Sequence, residues 1–150
     1  MSLKLSSIKR NRAQEDEGQW ENVVGWPGVR VKVRGINYKP YQIAREMMIQ
    51  KLTRTMGRQP TSTEMEPMLG KLVATHLLLG WDGIVDGPED DESKQTPVEW
   101  TMDVGVRYLT DRDYLELEQR VIIASVLVGE RDAEFTADAT KNSAAPSATN

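Results

Sequence analysis

Two apolar runs constrain this chain more than anything else in it. LVATHLLL occupies residues 72–79 and VIIASVLV occupies residues 121–128. A surface helix shows an apolar stripe with a polar opposite side, and neither run leaves room for much polar side. Helical spacing places Leu69, Leu72, Val73, His76, Leu77 and Leu79 on a helix from about Glu64 to Leu79, with Gly80 as its stop. A second such helix runs from about Arg112 to Val128. It is polar at its EQR start and ends before Gly129. Either the two helices lie at the centre of a bundle or part of their surface meets a partner, and in a small domain both can hold. Surplus apolar surface of this kind marks an interaction site. Partner binding is therefore expected at Leu72, His76, Leu79, Trp81, Ile84, Ile122 and Val126.

The rest of the chain frames these runs. In GVRVKVRG, Val29, Val31 and Val33 alternate with Arg30, Lys32 and Arg34. A period of two puts the valines on one face of a strand and the cations on the other. WPG (26–28) supplies a turn, and WENVV (20–24) is the antiparallel partner of a hairpin. Pro40 opens a helix bearing Ile43, Met47 and Leu52, widened by Met48 and Ile49 and ended by Gly57. Thr61 with Glu64, or Thr63 with Glu66, forms a capping box for the next helix, with Pro67 tolerated in its first turn. Thr101 caps a third helix over Met102 to Leu109, and Asp103 suits its dipole.

The predicted fold class is α+β, predominantly α. A small N-terminal antiparallel β-hairpin precedes a bundle of about four helices. A short extended segment, Trp81 to Val85, separates helices two and three. Residues 1–19 read as a polar arm or edge strand, with KRNR (9–12) beside EDEG (15–18) and disorder at its start. Residues 20–129 read as a single globular domain. Residues 130–150 are small and polar, and are expected to be disordered.

Bulk properties remove several function classes. A length of 150 residues suits one domain with ends. A net charge of −4 gives no global attraction to nucleic acid or anionic membrane. With no cysteine there is no disulfide framework and no thiolate chemistry. No apolar run is long enough to span a bilayer, and the N-terminus has no apolar signal core. Seven methionines suggest a forgiving core or an adaptable contact surface.

GWDGIVDG (80–87), followed by the acidic PEDDES, invites a search for chemistry. As a calcium loop starting at Asp82 it would place Ile84 at a ligand position and lacks the bidentate glutamate. No phosphate-loop signature occurs, and no helix follows these glycines to aim amides at an anion. His76 is the only histidine and lies among leucines, without a nucleophile at catalytic spacing. No catalytic residue, metal ligand or cofactor is therefore expected. Arg30, Lys32 and Arg34, with Tyr38 and Tyr41 beyond, offer a single-strand nucleic-acid surface. A solvated strand whose charges block edge pairing explains them better.

The order of the pieces resembles the tail assembly chaperones of long-tailed bacteriophages. Trp81, Gly83, Ile84, Asp86, Gly87, Thr101, Leu109, Asp111 and Tyr114 match that family's pattern in order, and the resemblance covers about residues 15–130. Gly105 stands where the family often has alanine, which weakens helix three by about 1 kcal/mol if it is interior. The resemblance implies a non-enzymatic protein that holds the phage tape-measure protein during tail assembly, with the tail tube protein as a further partner. It implies several copies per partner or a homo-oligomer, action in the host cytoplasm, and absence from the mature virion. The alternatives are a structural neck or tail component of the virion and, behind it, a single-strand nucleic-acid binder.

Overall fold

The computed structural model describes residues 2–7 and 12–144, and the fold is α+β with helix predominating. The hairpin forms as the alternation requires. Strand β1 (Gln19–Asn22) pairs antiparallel with β2 (Arg30–Val33), Trp20 opposite Lys32 and Glu21 opposite Val31. Val31 and Val33 are wholly buried, while Lys32 between them is only half covered. The turn closes through Val23 N–H donating to Val29 O at 2.9 Å.

Helix α2 (Lys39–Met56) has proline in its first turn and ends at Gly57, whose φ of 71° is the left-handed stop. The box on α3 (Ser62–His76) is Thr61 with Glu64, not Thr63 with Glu66. The Arg58 fork, 2.9 and 3.1 Å from the Glu64 oxygens, and the Thr61 amide hold that carboxyl down at about 2. Pro67 lies in the second turn, because the helix begins earlier than the sequence pattern indicates. A proline there leaves the carbonyl four residues back without its helical donor. Arg112 fills the gap, donating to Thr63 O at 3.2 Å.

The largest departure from expectation is at 77–82. Helix α3 stops at His76, and Leu78–Asp82 is β3, a third strand antiparallel to β2, with Trp81 opposite Val31. Strand β2 has a second edge whose backbone groups need partners when buried, and β3 supplies them. Arg34 secures the switch: its amide donates to Leu77 O at 2.9 Å and its guanidinium to His76 O at 3.0 Å. Gly80, expected as the helix stop, is a buried mid-strand residue opposite Lys32. The apolar run thus divides between two elements, and Val73, Ala74, Leu77 and Leu78 all enter the core.

Two short strands follow, β4 (Val85–Asp86) and β5 (Thr96–Pro97), paired as a small hairpin. Helix α4 (Met102–Leu109) is capped by Thr101, whose hydroxyl accepts from Val104 N at 3.1 Å. Gly105 is buried under Trp100: an added Cβ would lie 2.9 Å from its indole nitrogen. That close approach accounts for a glycine where propensity favours alanine. A 3-10 turn (Arg112–Tyr114) leads into α5 (Leu115–Ala144).

Helix α5 passes through Gly129 instead of ending there. Gly129 touches the β2–α2 loop, where Ile36 N–H donates to Ser125 O at 2.9 Å. A Cβ on Gly35 would lie 2.8 Å from the Gly129 Cα. The glycine serves close packing and is not a cap. Beyond it, Gln19 donates to Asp132 at 3.3 Å and Arg131 pairs with Glu21, tying the helix to β1. The segment expected to be disordered from 130 is therefore helical to Ala144, and 145–150 lie outside the described residues. In place of the arm or edge strand there is a 3-10 turn (Leu5–Ser7) beside α5 and a short α1 (Arg12–Glu17). Most of KRNR falls outside the described residues.

Candidate partner-binding surface

GWDGIVDG is a structural crossing. Trp81 is buried at the end of β3, its indole N–H donating to Val98 O at 2.6 Å, and Val98 N–H returns to Ile84 O at 2.9 Å. Gly83 has φ of 86°, and a Cβ there would meet Gly28 O at 2.2 Å, so a side chain is excluded on two counts. Asp82 pairs with Arg30 at 3.2 Å, and Asp86 accepts from Gly87 N at 2.8 Å. Among the described residues, no group of three or more His, Asp or Glu side chains is placed to hold a metal ion.

Of the seven residues expected to meet a partner, Trp81 and Ile84 come together. They line a cavity of about 110 Å³ with Val98, Tyr108, Tyr114 and Leu117. Its rings pack edge-on: Trp81 and Tyr108 at 6.3 Å and 64°, Tyr108 and Tyr114 at 4.9 Å and 86°. Leu72 and His76 are half-buried on α3. Leu79, half-buried on β3, lies against Gly18, where an added Cβ would be 2.8 Å from its Cδ1. Ile122 is half-buried on α5, and Val126, one turn on, is exposed with Ile123 beside it.

Further exposed apolar side chains lie elsewhere. Ile43, Met47 and Met56 on α2 and Met68 on α3 are all exposed. Helix α2 has 18 residues, yet Tyr41 alone among them is buried, and its packing is chiefly on α3. Five of the seven methionines, at 47, 48, 56, 65 and 68, lie on these two helices. Helical periodicity hides this, because Ile43, Met47 and Leu52 read as an ordinary core stripe. The methionine density was the signal that could have found it. The helix is also basic, with Lys39, Arg45, Lys51 and Arg54 against Glu46 alone, a net charge of +3. Ile43 borders a wider open depression of about 460 Å³ between α1 and the start of α2.

The cationic face of β2 is largely engaged within the fold. Arg30 lies 4.6 Å over Trp20 while pairing with Asp82. Arg34 donates to Asp16 O at 2.7 Å and to His76 O, and lies 4.6 Å over Tyr38. These contacts favour a structural role for the stripe over a nucleic-acid surface.

A perturbed carboxyl marks the junction of the helices. Glu118 of α5 is buried, and burial, with Glu66 nearby, pushes its pKa up to about 7. Gly70 of α3 makes room for it: an added Cβ would lie 2.0 Å from Leu109 O and 3.6 Å from the Glu118 carboxyl carbon.

Across known proteins, the family model described as YdaY prophage protein matches residues 36–142, from the start of α2 through almost all of α5. No curated protein and no solved structure matches the chain.

Proposed function

The chain belongs to the YdaY prophage protein family, and from that premise we propose that it is a non-catalytic tail assembly chaperone acting in the host cytoplasm. Its client is a long helical phage protein of the tape-measure type, with the tail tube protein as a further partner, and it leaves before the virion is complete. One observation carries the reading: the methionine-rich, solvent-facing surface of the α2–α3 pair. An amphipathic client helix laid along a groove needs apolar anchors at successive turns, and Ile43 and Met47 offer them one turn apart. Flexible thioether side chains adapt to a client whose sequence changes along its length. The resemblance to tail assembly chaperones across residues 15–130 points the same way.

Co-expression with the tape-measure protein of the same prophage tests it. The expected result is a complex that survives purification and is lost in Ile43→Glu with Met47→Glu. Recovery of no complex with the unaltered chain overturns the reading. Mass spectrometry of purified particles distinguishes the alternative, since stoichiometric recovery would make the protein a structural component of the virion.

A further inference from the structure

Two surfaces of this molecule are complementary to each other. Helix α2 presents Ile43 and Met47 amid exposed Lys39, Lys51 and Arg54. The β4–β5 hairpin, residues 85–97, carries Asp86, Glu89, Asp90, Asp91 and Glu92 against Lys94, a net charge of −4. At its base lies the aromatic cavity, with Asp86 and the exposed Val85 on its wall. A cavity of about 110 Å³ holds one apolar side chain of methionine size, not a helix or a cofactor. Aromatic walls, here Trp81, Tyr108 and Tyr114, are good surroundings for a thioether sulfur. Within one molecule the two surfaces cannot serve each other in this way, because α2 is held on α3 while the cavity lies between β4–β5, α4 and α5.

We infer that copies of this chain associate head to tail, α2 of one copy docking on the β4–β5 hairpin of the next with Met47 as the anchor in the aromatic cavity. The two contributing surfaces differ, so the contact is heterologous. It propagates into chains or closes into a ring, and does not stop at a two-fold dimer. Opposite charges on the two surfaces steer the encounter and make it salt-sensitive. The contact uses the α2 face that the chaperone reading assigns to a client, so self-association and client binding exclude each other. It does not depend on what the client is, because purified protein alone displays it.

The test is the solution mass of the purified full chain, by light scattering and sedimentation, over a range of concentrations. At low salt the mass rises with concentration above the 16.9 kDa of one chain. In about 0.5 M salt, where screening acts within a few ångströms, it falls back toward one chain. Met47→Glu and Val85→Lys each alter an exposed position, and each shifts the association midpoint at least about tenfold. Circular dichroism confirms that both variants keep the fold. Mixing them decides the geometry, since Met47→Glu keeps a working cavity and Val85→Lys keeps a working α2. Together they form a two-chain complex that grows no further. A single-chain mass for the unaltered protein at every concentration in low salt overturns the proposal. So does self-association that neither variant weakens, or a mixture of the two that stays monomeric. Failure of the client pull-down with head-to-tail assembly intact would count against the chaperone reading alone.

Discussion

Residues 72–79 and helix α2 exchange the roles their compositions suggest. The first stretch is almost wholly apolar and is largely buried. The second mixes isoleucine and methionine with lysine and arginine, and leaves Ile43 50% and Met47 64% exposed. Apolar content therefore does not locate the free surface. What decides is whether the element around a residue has something to pack against. The 72–79 run changes from helix to strand at Leu77, so its leucines leave the backbone in directions no single helix allows: Leu77 and Leu78 enter the core, Leu72 packs against it, and Leu79 is half-buried against Gly18. Among the described residues, helix α2 packs chiefly on α3. The sharpest test of this difference is Leu78→Ala. Leu78 is wholly buried where β3 meets α4, in contact range of Gly105. Truncation there should cost about 2–5 kcal/mol in chemical denaturation, as cavity-forming leucine changes do. A loss under about 1 kcal/mol would mean that the run is not the core of the molecule.

Glu118 sharpens the comparison at the point where the two regions meet. It lies beside Glu66 of α3 and interacts with Tyr41, the one buried residue of α2, whose own phenol is pushed up by burial. Arg112 shares the site but is directed to Glu66 at 3.7 Å and to Thr63 O. The folded pKa of Glu118 is about 7 against an ordinary value of 4.5. Between those values the folded protein holds a proton that the unfolded chain has released, so stability falls as pH rises. It is full below about 4.5 and this contribution is lost by pH 8, a swing of up to about 3 kcal/mol. Glu118→Gln should flatten that slope, leaving the variant the more stable of the two at pH 8. Equal pH dependence of both proteins, measured by denaturant midpoints from pH 4.5 to 8, would show that the carboxyl is hydrated in the fold.

Local chemistry was legible in the sequence, and tertiary substitution was not. The hairpin followed from the Val31/Lys32/Val33 alternation, and α2 from Pro40 to Gly57, because a period and a glycine stop act within a few residues. Thr101 was equally readable, since a cap acts on amides three residues away. Thr101→Ala should cost about 1 kcal/mol and fray α4, a smaller loss than any core truncation. An unchanged denaturation midpoint would mean that Trp100 packing on Gly105 holds α4 without its cap. By contrast, Gly80 and Gly129 both looked like stops, and neither is one. Their roles, mid-strand under Trp20 and against the Gly35 loop, depend on residues 60 and 94 positions away. No local pattern carries that information. The same blindness applied to the candidate surface: Trp81 and Ile84 do share a cavity, but its walls come from α4 and α5. The exposure of Met47 was invisible to periodicity, because a stripe looks alike whether or not a neighbour covers it.

The smallest predicted effect bears hardest on the comparison. Met47→Ala removes three side-chain heavy atoms, Cγ, Sδ and Cε, at a site 64% open to solvent. Alanine is also the better helix former. In dilute protein, where no second copy is bound, the stability change should stay within about 0.5 kcal/mol, as for surface sites away from special features. The same truncation buried in a core would cost about 2–5 kcal/mol. A loss above about 1 kcal/mol in dilute solution would show that α2 is covered within the single chain, and the contrast with residues 72–79 would vanish. A small loss that grows as protein concentration rises is the more informative outcome. Stability would then be coupled to association by mass action, and the missing contact of α2 would be a second molecule.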